Sequence, residues 1–160
     1  VAQYANRIGR FMELDDHRLE RLHFAALLHD IGMLKLNRKQ QMNRRECAKH
    51  TVLGARLLAR IRLWEHLAPL VQHHHERWDG SGYPEALSGD AIPLESRIIA
   101  VCEAFDTITS GTSYKEAAPF ELAVREVESG AGTQFDPDVV SAFLEVVRSG
   151  AISPSEESRA

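Results

Sequence analysis

His73-His74-His75-Glu76-Arg77-Trp78-Asp79-Gly80-Ser81-Gly82-Tyr83-Pro84 sets three adjacent imidazoles and two carboxylates against a glycine-rich turn. Neutral imidazoles and carboxylates are ligands for Zn, Fe or Mn. Two consecutive histidines at a helix end can reach one metal if the backbone bends just after them. Gly80, Gly82 and Pro84 supply that bend. A lone His-His pair is more often a surface patch or a core histidine with a satisfied partner, so the reading depends on the rest of the chain.

Upstream lies Leu27-Leu28-His29-Asp30-Ile31-Gly32, where an apolar helix delivers a histidine and an aspartate side by side and ends at a glycine. Gly32 reads as the helix terminator. Leu19, Leu22, Ala25, Ala26, Leu27 and Leu28 form a wide apolar stripe that meets His29 and Asp30 at the helix end. Burying an ionised aspartate there is costly unless a cation accompanies it. A further helix carries Val52, Leu53, Ala55, Leu57, Leu58 and Ile61 on its apolar face, with His50 near its start. On its own His50 reads as a cap or a surface residue.

Taken together, His29-Asp30, His50, His74-His75 and a carboxylate on the helix Ile98 to Thr109 resemble the HD superfamily of metal-dependent phosphohydrolases, and within it the HD-GYP branch. The HHExxDGxGYP element is matched by His74, His75, Glu76, Asp79, Gly80, Gly82, Tyr83 and Pro84. Further matches are LLHDIG at Leu27 to Gly32, HTVLGARLL at His50 to Leu58 and AGTQFDPDVVSAFL at Ala131 to Leu144. The resemblance implies an all-α fold, an HD-domain helical bundle with two extra C-terminal helices and a GYP loop, over residues 1–150, followed by a polar tail at 151–160. Val1-Ala2-Gln3-Tyr4-Ala5 matches the middle of the family's first helix, which implies a domain cut from a larger protein with a sensor or receiver module on its N-terminal side.

The resemblance also implies two divalent metal ions, Fe or Mn in first place and Zn or Ni as alternatives. One ion takes His29, Asp30 and Glu103; the other takes Asp30 as a bridge together with His50, His74 and His75. The implied chemistry is in-line attack of an activated water on a phosphodiester. The implied substrate is cyclic di-GMP, opened to the linear dinucleotide pGpG or to GMP. Asp30, Lys115 and Asp79 are the catalytic candidates, and Gly80, Gly82, Tyr83 and Pro84 form the substrate loop.

The later carboxylate has two candidates one helical turn apart, Glu103 and Asp106. Glu103 falls where the family has aspartate when Val101-Cys102-Glu103-Ala104-Phe105-Asp106 is aligned without gaps, and Asp106 then reads as a helix-end carboxylate. His73 reads as a neighbour or an outer hydrogen-bond donor, and His17, His23 and His66 have weaker claims. Asp79 is expected to fix the glycine loop or orient a ligand. Tyr83 and Trp78 either face the substrate or pack the loop.

Three departures from the family pattern bear on activity. The lysine that follows HDxG in the family is Met33, and the arginine of TSxRxYK is Thr112, while Lys115 is kept. Loss of a bidentate phosphate clamp costs about 1 to 3 kcal/mol in binding. The stretch between Leu34 and His50 is also shorter than the family's loop, which implies a reduced lid or an omitted piece. Two other readings therefore stand beside the enzyme: a weakly catalytic sensor or interaction domain, and an HD phosphohydrolase acting on another nucleotide.

The chain has 160 residues, 44% apolar and 26% charged, which suits one compact core. A net charge of -4 argues against a nucleic-acid polymer as partner. No stretch approaches the length of a transmembrane span, and Cys47 and Cys102 read as buried free thiols of a reducing cytoplasm. Partner expectations are cyclic di-GMP, a GGDEF-type or other signalling domain at the GYP loop, and a second copy in a homodimer. Helical spacing predicts helices over Val1–Glu13, His17–His29, Arg44–Ile61, Leu67–His75, Leu94–Thr109, Pro119–Ser129 and Asp136–Ser149. Pro119 and Pro137 suit first turns, and Asp136 suits a cap.

Overall fold

The computed structural model describes residues 1–110 and 118–153. Within them the chain is helical, with no strand and a single isolated bridge between Ala131 and Phe135. The helices are α1 (Ala2–Phe11), α2 (Asp16–Leu28), α3 (Arg38–Gln41), α4 (Arg44–Cys47), α5 (His50–Leu58), α6 (Ala68–Gln72), α7 (Leu94–Ser110), α8 (Phe120–Ser129) and α9 (Pro137–Arg148). Short 3-10 turns lie at Ile31–Lys35, Glu65–Leu67 and Gly89–Ala91.

The organising element is α7, because its apolar residues are not confined to one stripe. Ile98, Ile99, Val101, Cys102 and Phe105 are all buried, so the helix is wrapped by neighbours on several sides. Phe105 sits edge-on to Tyr4 of α1, Phe120 of α8 and Phe143 of α9, with ring centroids 5.3, 5.4 and 5.1 Å away. One aromatic thus ties four helices, in the tilted geometry that aromatic pairs favour. Polar links fix the N-terminal end of α7: Arg18 Nε donates to Glu95 Oε1 at 3.1 Å, and Arg97 Nη1 to Asp136 Oδ2 at 2.7 Å. Asp136 in turn caps α9 by accepting from Asp138 N, as its sequence position predicts. Ile152, past the end of α9, returns to the core and is buried.

Several predicted bounds move. Arg44–Ile61 is two helices, because the chain tightens into a three-residue turn where Lys49 N donates to Glu46 O. That break brings the Cys47 carbonyl to the His50 ring, whose Nδ1 donates to it at 2.7 Å. The helix expected over Leu67–His75 ends at Gln72, so His73, His74 and His75 occupy the turn beyond it. Pro119 is the cap of α8 rather than its first helical residue. The short Leu34–His50 segment folds as α3 and α4, each begun by an asparagine cap, Asn37 and Asn43.

Gly32 is not a helix terminator. The helix α2 ends at Leu28 with His29 at its C-cap, and Gly32 lies inside the following 3-10 turn without a left-handed backbone. Its role is close approach: a Cβ there would lie 1.9 Å from the His50 carbonyl oxygen and 2.6 Å from Gly54 N. The absent side chain lets the turn after His29-Asp30 pack directly on α5. That contact brings Asp30 to His50.

Candidate metal centre

Three histidines reach one place by the same device. A helix leaves its last carbonyls without partners, and an imidazole at the helix end can satisfy one with its Nδ1 proton. His29 Nδ1 donates to Ala26 O at 2.9 Å, His50 Nδ1 to Cys47 O at 2.7 Å and His74 Nδ1 to Val71 O at 2.7 Å. Each ring is held by the carbonyl three residues before it, and each therefore presents a bare Nε2.

Those nitrogens converge with the carboxylates into two groups of three. His50, His74 and His75 offer ligand atoms within 4.8 Å of one another, and so do His29, Asp30 and Glu103. Asp30 joins the groups, since its Oδ1 lies 3.3 Å from His50 Nε2 and its Oδ2 3.6 Å from His29 Nε2. Glu103 Oε1 lies 3.8 Å from His75 Nε2, a second junction. Among the described residues Asp106 belongs to neither group.

This donor set fits a cation. His50 Nε2 and His74 Nε2 face each other at 3.3 Å, and the protons of both rings are committed to carbonyls on the Nδ1 side. Two lone pairs so placed repel unless a positive ion lies beside them. The electrostatics agree. Burial drives His74 well below its usual pKa, with His75 adding to the shift, and burial followed by the His50 charge lowers His75 to about 4. Both imidazoles are therefore neutral, the form that binds metal. Burial, then Asp30 and Asp106, raises Glu103 to about 8, so without a cation its carboxyl is driven to hold a proton.

The GYP loop forms the adjoining wall. Glu76 is buried and accepts from Glu85 N at 2.7 Å and Leu87 N at 3.1 Å, which draws the loop back over the histidine turn. Gly82 permits this because a Cβ would lie 2.5 Å from Glu76 Cα and 2.3 Å from Arg77 N. Gly80 takes the left-handed backbone that glycine tolerates. Pro84 follows a cis peptide bond. Tyr83 stacks on His75 with centroids 5.0 Å apart, so it orients a ligand ring as well as lining the cavity. Trp78 instead packs the loop, under the Arg97 guanidinium at 5.6 Å.

Asp79, one of the catalytic candidates, belongs to neither ligand group. Its Oδ1 accepts from Ser81 N at 2.9 Å and Ser81 Oγ at 2.6 Å, and its Oδ2 pairs with Arg77 at 3.1 Å, so it fixes the loop. These donors hold its pKa far below the usual carboxylate range, Arg77 contributing most. Lys115, the other phosphate-side candidate, lies outside the described residues, as does Thr112. His73 is buried beside Glu76 at 3.6 Å, and His23 is engaged by Asn6 at 2.8 Å.

Sequence reasoning gave no role to Glu76 or to the backbone of the TQFDP segment. Trp78 N donates to Gln134 O and Asp79 N to Thr133 O, so this segment docks the far side of the loop. The signal was present as a matched motif, but its partner lies far away along the chain. Together these elements enclose a cavity of about 810 Å³ bounded by α4, the GYP loop and α7, with His74, His75 and Glu103 in its wall.

Comparison with known proteins shows the family. A profile of the HD domain family matches residues 1–139. The chain is 36% identical over 156 residues to a cyclic di-GMP phosphodiesterase of Thermotoga maritima, covering 91% of this chain and 42% of that protein. It is 34% identical to the cyclic di-GMP phosphodiesterase response regulator RpfG of Xanthomonas campestris pv. campestris, covering 90% and 41%. It is 33% identical to the 3'3'-cGAMP-specific phosphodiesterase 2 of Vibrio cholerae, covering 91% and 30%. The chain thus spans about two fifths or less of these relatives. A crystal structure of a cyclic GMP-AMP phosphodiesterase of V. cholerae superposes with a TM-score of 0.72 at 24% identity, over 99% of this chain and 46% of that one, and shares the fold. With its helical bundle, its paired ligand groups and its GYP loop, the chain belongs to the HD domain family, in the HD-GYP branch.

Proposed function

We propose that this domain is a metal-dependent phosphodiesterase that opens cyclic di-GMP to pGpG or GMP. The observation that carries the reading is the pair of ligand groups joined at Asp30 beside a cavity that shares His75 and Glu103 with them. The names of the relatives support the substrate class. His29, Asp30 and Glu103 would hold one dication, and His50, His74 and His75, with Asp30 as the bridge, the other. Fe or Mn suits this mixture of imidazole and carboxylate at least as well as Zn or Ni. Two such ions supply Lewis acidity and a water nucleophile at neutral pH.

The chain's own residues carry the rest. Asp30 brings negative charge to the junction of the groups, where it would help hold the cations. The carbonyls of Ala26, Cys47 and Val71 keep three imidazoles in the tautomer that leaves Nε2 free. Tyr83 keeps the His75 ring from turning, and Glu76 holds the loop that covers one side of the cavity. Gly80, Gly82 and Pro84 shape that cover.

Incubation of the metal-loaded protein with cyclic di-GMP, followed by chromatography of the nucleotides, is expected to yield pGpG or GMP, and chelation is expected to stop it. Binding without turnover would replace the enzyme by a nucleotide sensor, the reading that Met33 and Thr112 favour. Turnover of 3'3'-cGAMP alone would move the substrate to that of the V. cholerae relative.

The assignment of Glu103 has its own test. Glu103→Ala is expected to weaken metal binding at least about 10- to 100-fold, the loss seen even for groups that only support ligands. Asp106→Ala is expected to leave metal stoichiometry, measured by elemental analysis, unchanged. The opposite pattern would transfer the ligand role one turn along α7.

A further inference from the structure

We propose that Arg44 and Arg45, on α4, bind the phosphate of the cyclic dinucleotide that is not being cleaved. This rests on the phosphodiesterase reading above. A cyclic dinucleotide carries two phosphodiesters on opposite sides of its ring. Cations held by the ligand groups would supply positive charge for one of them only, and the other must lie elsewhere in the cavity. A protein of net charge -4 needs local cations there.

Arg44 and Arg45 meet that need. Both line the cavity at its α4 wall, together with Tyr83 of the GYP loop. Neither has a carboxylate partner among the described residues, whereas Arg77, the other cation in the lining, is engaged by Asp79 at 3.1 Å and Ser81 at 2.8 Å. Glu46, the nearest acid in sequence, pairs with Lys49 at 2.7 Å instead.

Both side chains are exposed, so neither is needed for packing. At the positions where the family pattern has cations, Met33 packs its sulfur 3.9 Å from Cys47 Sγ and residue 112 is threonine. The helix α4 brings two arginines to this wall, and a guanidinium can grip a phosphate with two parallel hydrogen bonds.

The test compares two substrates in the metal-loaded protein. Arg44→Ala/Arg45→Ala is expected to lower kcat/KM for cyclic di-GMP about 10- to 100-fold, chiefly through KM, as loss of charge-assisted contacts does. Hydrolysis of bis(p-nitrophenyl) phosphate, which has a single phosphate, is expected to stay within about twofold, and metal content to stay unchanged. Arg44→Lys/Arg45→Lys is expected to recover part of the loss, since charge survives without the fork. An equal loss on both substrates would place the arginines at the scissile phosphate or in the fold and overturn the inference, as would no loss on either. Wild-type protein that neither binds nor cleaves cyclic di-GMP would overturn the phosphodiesterase reading, and this inference with it.

Discussion

Asp30→Asn is expected to reduce phosphodiester hydrolysis by at least about a thousandfold, close to 4 kcal/mol of barrier. The substitution keeps the volume and removes the charge at the carboxylate whose two oxygens face both ligand groups, 3.3 Å from His50 Nε2 and 3.6 Å from His29 Nε2. An amide can offer its oxygen to one cation but cannot neutralise two. Elemental analysis should show metal content falling by at least one ion per chain. The Asp30 side chain is 52% exposed, so thermal unfolding of the metal-free variant should match that of the metal-free parent. A variant that kept both its metal and activity within about tenfold of the parent would remove Asp30 from the junction.

Gly32→Ala is expected to destabilise the domain by about 3 kcal/mol, the upper end of what overpacking costs. The new methyl group would meet backbone on every side: the His50 carbonyl oxygen at 1.9 Å, Gly54 N at 2.6 Å and His50 C at 2.8 Å. No side chain can swing away, so α5 itself must move. For a domain of this size the melting temperature should fall roughly 6 to 12 °C. Because His50 starts α5, metal affinity should fall in the same variant even though no ligand has been changed. A melting temperature within about 2 °C of the parent would mean that the turn and α5 separate more easily than their contact implies.

The helices with apolar residues at regular spacing were legible in the sequence, and so were the ligand types. α2 buries Leu22, Ala25 and Ala26 of its predicted stripe, while Leu27, at its far end, is left exposed, and Asp136 caps where its position predicts. The breaks were less legible. Nothing in the apolar pattern of 44–61 marks the tightened turn at Lys49, because α5 docks on Gly32, a residue outside that segment. Gly32 carried the same letter for either role, and only its neighbour across the fold distinguishes close approach from helix termination.

By itself the sequence determined the chemistry on offer: His29, Asp30, His50, His74, His75 and Glu103 as groups able to hold cations, a glycine-rich loop beside two of them, and the loss of cations at Met33 and residue 112. These are properties of residue type and local spacing, which a linear chain displays directly. The tertiary structure decided which groups meet. It joined Asp30 to His50, set Glu103 rather than Asp106 beside His29 and Asp30, turned Asp79 into the brace of its own loop, and placed Arg44 and Arg45 on the cavity wall. Each of those outcomes depends on the direction in which a side chain leaves a helix and on how closely two backbones approach. Such contacts between residues distant in sequence exist only once the core around Phe105 has packed.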